Sequence, residues 1–113
     1  MESQIHLNDE RKRLLDKFRE ALPDVMSAER YVLGEVYKEG ALSIKVKRLI
    51  ALAIALRVGC TNCILSQTMD ALDAGATREE ILETLSVEIA MSGTSGIAWS
   101  CRVIKLLEEL GKI

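Results

Sequence analysis

The sequence predicts an all-α, single-domain bundle of about six helices covering residues 1–113, and three observations predict it. No stretch alternates apolar and polar residues with the period of a half-buried strand, whereas apolar residues recur at helical spacing along the chain. Apolar residues make up 49% of the sequence and aromatic residues only 4%, so Leu, Ile, Val and Ala must fill the interior, and these suit closely packed helices. A chain of 113 residues can bury one core but not two. So high an apolar share also exceeds what a small monomer usually hides, which predicts burial between copies in a homo-oligomer.

The first helix is expected from about Asp9 to Ala21, with Leu14, Leu15 and Phe18 as its inward stripe and His6 in a mobile tail before it. Pro23 suits a first helical turn and opens a second helix that carries Val25, Met26, Tyr31, Val32, Leu33, Val36 and Tyr37 before Gly40 stops it. Ser43 is the expected N-cap of a third helix through Val58. Its run from Leu49 to Leu56 is apolar on every side, so this helix is either central or shared between subunits. Gly59 breaks it, and a fourth helix starts near Cys60 and continues to Ala74. Thr77 and Glu80 form a capping box for a fifth helix that ends near Ser92. Gly93-Thr94-Ser95-Gly96 reads as a turn into a last helix, where Trp99 and Cys101 read as packing in that helix or at a subunit interface.

Charge excludes more than it identifies. The net charge is -2, and Arg11, Lys12, Arg13, Lys17 and Arg19 are interleaved with acids at ion-pair spacing, so no basic stripe is offered to nucleic acid. The longest apolar run falls far short of the ~20 residues that cross a bilayer. The N-terminus lacks the apolar run of a secretory signal, and the cysteine content is three. Together these predict a cytoplasmic protein with free or redox-active thiols and no membrane partner.

Cys60 and Cys63 are the residues most able to carry chemistry. Three apart in a first helical turn, they lie on one side of the backbone with Cβ atoms roughly 5–6 Å apart, from which a disulfide needs little movement. The helix N-terminus stabilises a thiolate, the form that attacks. Such a pair cycles between dithiol and disulfide without a metal or cofactor. Zinc would need four ligands, and only Cys60, Cys63, Cys101 and His6 are on offer. The bland alternative is two cysteines buried as small hydrophobes.

The stretch Ala-Leu-Arg-Val-Gly-Cys-Thr-Asn-Cys-Ile-Leu-Ser-Gln, followed by Ala-Leu-Asp-Ala-Gly-Ala-Thr-Arg-Glu-Glu-Ile, resembles the carboxymuconolactone decarboxylase and alkylhydroperoxidase D-like family. The resemblance runs over about residues 25 to 105. It implies a helical fold assembled as trimers or hexamers and, in members with C-x-x-C, thiol-dependent reduction of hydroperoxides. It further implies that Cys63 attacks the peroxide, that Cys60 resolves the sulfenic acid into a disulfide, and that an external dithiol such as a lipoyl group or a thioredoxin-like protein restores the pair. Members lacking the cysteines act on lactones.

The family's peroxidases place a histidine four residues after the second cysteine and a glutamate twelve before the first, as a proton relay. Here those positions hold Gln67 and Arg48. Gln67 can hydrogen-bond the Cys63 sulfur, but an amide accepts no proton at neutral pH. Arg48 is either a charge favouring the thiolate or a solvated arginine beside Lys45 and Lys47. Glu88, beside the apolar stripe of its helix, is either a partly buried acid that serves as base or holds Gln67, or the edge of that stripe. Ser66 is a hydroxyl donor to the sulfur or faces its own backbone. The leading expectation is a peroxidase of this type; the alternatives are disulfide exchange with a partner, a non-catalytic oligomer that senses redox state or binds a ligand or partner, and a lactone-acting decarboxylase-like member.

Overall fold

A computed structural model describes all of residues 1–113 and contains six helices and no strand: α1 (Gln4–Ala21), α2 (Pro23–Val36), α3 (Ile44–Val58), α4 (Thr61–Asp73), α5 (Arg78–Ser92) and α6 (Thr94–Glu109). None is long and apolar enough to cross a membrane. The core is built from Leu52, Ala55 and Leu56 of α3, Ile64 and Ala71 of α4, Ile81 and Leu85 of α5, and Val103 and Leu107 of α6. These are the aliphatic side chains that the composition requires. Local signals end and begin the central helices as expected: Ser43 caps α3, and Thr77 and Glu80 close a reciprocal capping box on α5.

Three expectations need correction. First, α1 starts at Gln4 rather than Asp9, so His6 lies in a helix and not in a mobile tail. Ser3 accepts from the His6 N–H, and the Glu109 carboxylate accepts from the Gln4 N–H at 2.7 Å. Hydrogen bonds from the Ser3 hydroxyl and the Gln4 and Ile5 N–H groups hold the Glu109 carboxyl below its usual range. Polar Gln4 and Asn8 are the buried residues of α1, while Leu14 and Phe18 are exposed and Leu15 is half-buried. The stripe is real, but it does not face the core of this chain.

Second, α2 ends at Val36, four residues before Gly40, because Lys47 of α3 donates to the carbonyls of Val36 (2.8 Å) and Lys38 (2.6 Å) and terminates it there. Third, the glycine-rich stretch is not a turn of four residues. Gly93 alone, at φ 64°, separates α5 from α6, which begins at Thr94. Of the two readings of α3, central or shared between subunits, the single chain leaves the second open: Leu52, Ala55 and Leu56 are buried, and Ile50, Ile54 and Val58 are exposed.

Candidate functional site

The site grows from the α3–α4 joint. Gly59 adopts the left-handed conformation (φ 79°) that ends α3, and the Trp99 indole of α6 packs against it. The chain then leaves Gly59 with Cys60 in the extended N-cap position of α4. Cys60 and Cys63 are joined by a disulfide with Cα atoms 5.2 Å apart, and the Cys63 N–H donates to the Cys60 Sγ at 3.2 Å. Cys60 therefore does for α4 what Ser43 and Thr77 do for their helices, with sulfur as the acceptor. It is half-buried, whereas Cys63 is exposed.

Two clefts meet at Cys63. One, of about 360 Å³ between α1 and α4, is lined by Leu14, Leu15 and Phe18 together with Cys63 and Ser66. The outward stripe of α1 thus lines the same cleft as Cys63. The other, of about 310 Å³ between α3 and α4, holds both cysteines and Gln67 against Tyr37, Ile54 and Val58.

Arg48 is not the solvated arginine of the bland reading. Its side chain is only 20% exposed and lies over the Tyr37 ring, 3.5 Å from the centroid. Its guanidinium donates to the Gln67 Oε1 at 3.1 Å and pairs with Asp70 at 3.2 Å. Lys45 and Lys47 are engaged elsewhere, with Glu80 and with the end of α2. Gln67 is therefore brought to the cysteine cleft, with Arg48 directly behind it.

Ser66 lines the α1–α4 cleft, but its hydroxyl donates to the Cys63 carbonyl oxygen at 3.2 Å, not to the sulfur. Glu88 is buried, one of the two readings that its place on the α5 stripe left open, but it is not brought to Gln67. It lines a separate crevice of about 340 Å³ with Val87 and Met91, its carboxylate lies against Gly96, and neither oxygen has a hydrogen-bond partner. Cys101 is exposed. Asp70 escaped the sequence reading, and Tyr37 was expected only among the apolar residues of the second helix, not beside Arg48. Asp70 follows Cys63 by seven and Gln67 by three, a helical face that could have signalled it; nothing local marks Tyr37.

Comparison with known proteins agrees with this architecture. A protein of Cupriavidus necator named only as uncharacterized is 36% identical over 91 residues, 80% of each chain. "Uncharacterized protein 4 in cox locus" of Paracoccus denitrificans is 33% identical over 75 residues, 66% of this chain and 68% of its own. The crystal structure of a carboxymuconolactone decarboxylase family protein from Legionella pneumophila, in its apo form, superposes with a TM-score of 0.89 at 32% identity, covering 96% of this chain and 97% of that one. Residues 23–106 match the carboxymuconolactone decarboxylase family itself, and the chain belongs to that family.

Proposed function

We propose that the protein is a thiol-dependent oxidoreductase that reduces hydroperoxides through Cys60 and Cys63, working in the cytoplasm as a homo-oligomer of three or six copies. The observation that carries this reading is the disulfide across the first turn of α4, with its outer sulfur, Cys63, exposed where two clefts meet. In the reduced protein the Cys63 thiolate attacks the peroxide oxygen, the O–O bond breaks, and the alcohol departs with a proton, leaving a sulfenic acid. The Cys60 thiolate then attacks that sulfur, and hydroxide leaves as water on taking up a proton. An external dithiol, lipoyl-like or thioredoxin-like, returns two electrons and two protons by exchange. Cys60 already accepts a backbone N–H, which suits it to hold charge when the disulfide opens.

Neither Gln67 nor Arg48 can take a proton, and general-base help is worth ~10²–10⁴-fold. Peroxide turnover is accordingly expected to be slower than in relatives with a complete relay, and the absence of a base at Gln67 and Arg48 favours disulfide exchange with a partner as the second reading. A Cys101→Ser protein, reduced and then titrated with hydrogen peroxide, an organic hydroperoxide or a small disulfide, tests both. Rapid loss of both remaining thiols with the mass of two hydrogens is expected. Slow loss to every oxidant overturns the enzyme and leaves a sensor or binding protein.

A further inference from the structure

We propose that Gln67 is a hydrogen-bond donor to the Cys63 sulfur, and that Arg48 is the positioning residue that fixes the amide in this orientation; the proposal rests on the redox reading of the cysteine pair. A guanidinium has only donors, so the Gln67 atom it meets at 3.1 Å is the carbonyl oxygen by chemistry and not by choice of rotamer. With that end of the amide occupied, the end left to the cleft is the NH₂ group, which can only donate. Gln67 stands one turn beyond Cys63 on α4 and lines the same cleft as both sulfurs, so the amide is within a side chain's reach of Cys63.

Arg48 cannot easily release the amide. It is held on one side by the Tyr37 ring and on another by Asp70, and it comes from α3, nineteen residues away in sequence. Asp70 also offsets its charge, so its influence on the sulfur runs through the amide rather than directly. The proposed bond would give the two sulfurs separate donors: the Cys63 N–H, which meets Cys60 at 3.2 Å, and in the reduced protein the Gln67 amide for Cys63. A donor favours the anionic sulfur over the neutral thiol. A residue type that can donate and never accept a proton thus replaces removal of the thiol proton by stabilisation of the thiolate.

The test is the pH profile of Cys63 alkylation by iodoacetamide in a Cys60→Ser, Cys101→Ser background, followed by peptide mass. Gln67→Leu, close in shape, is expected to raise the midpoint by about one pH unit, the size that one hydrogen bond to a charged group supplies. Arg48→Met is expected to raise it when Gln67 is present and to add nothing once Gln67→Leu is in place. An unmoved midpoint in Gln67→Leu, or an equal Arg48→Met shift in both backgrounds, overturns the proposal. Should Gln67→Leu fail to fold, the side-chain NH₂ resonances of Gln67 in the background protein are expected to move through the Cys63 titration, and flat signals overturn it equally. No oxidant is present, so a protein inert to peroxides and disulfides would sink the redox reading while leaving this result readable.

Discussion

Gly59 carries two constraints at one atom. Its φ of 79° lies where L side chains rarely sit, and an added Cβ would come within 2.9 Å of the Trp99 ring carbons. The left-handed residue lets α3 stop and delivers Cys60 to the N-cap of α4, so backbone conformation here sets where the disulfide lies. Gly59→Ala is expected to destabilise the fold by about 2–4 kcal/mol, combining left-handed strain with displacement of the indole. Urea unfolding followed by the single tryptophan measures it, and a change in the native emission would report the ring moving. A loss below about 0.5 kcal/mol would mean that the indole swings away freely, as for an ordinary surface change.

α5 is held to α3 through its cap. Glu80 accepts from the Thr77 N–H at 2.9 Å and pairs with Lys45 of α3 at 2.8 Å. The Lys45 hydrogen bond first, and the Thr77 N–H after it, keep the Glu80 carboxyl below its ordinary value of 4.5. A depressed carboxyl stabilises the fold above the unfolded value and stops doing so as pH falls through the lower folded one. Stability is therefore expected to decline on the acid side of 4.5, and Glu80→Gln should flatten part of that decline, read from urea midpoints across the range; an identical decline in the variant would remove Glu80 from it. This cap was legible because Thr77 and Glu80 are neighbours in sequence, as were Ser43 and the Cys60–Cys63 turn. The start of α1 was not, because its polar first turn is buried by partners a hundred residues away, Arg102 and Glu109. For the same reason the stripe periodicity left Glu88 between a partly buried acid and the edge of the stripe, and could not say that its carboxylate would face Gly96. The Arg48–Gln67 bond, made by helices packing side by side, was equally invisible to local pattern.

Large apolar side chains left open on the single chain support the proposed homo-oligomer. α2 buries none of its residues, and Tyr31 is 70% exposed; on α3 and α5, Val58 and Met91 are 73% and 82% exposed. Glu88, only 4% exposed and with no hydrogen-bond partner for either side-chain oxygen, lines the crevice beneath Val58 and Met91. Two faces on separate elements fit an assembly in which one closes a ring of three and the other joins two rings. Light scattering on the eluting protein is expected to give three or six copies. Met91→Glu and Tyr31→Glu, made separately, should each reduce the copy number, because a charge placed in an apolar interface loses its water without gaining a partner. The face whose loss leaves three copies is the one between rings, and the face whose loss leaves one or two closes the ring. A wild-type monomer at micromolar concentration would show instead that both apolar faces stay open to solvent, with the Cys63 clefts formed by one chain alone.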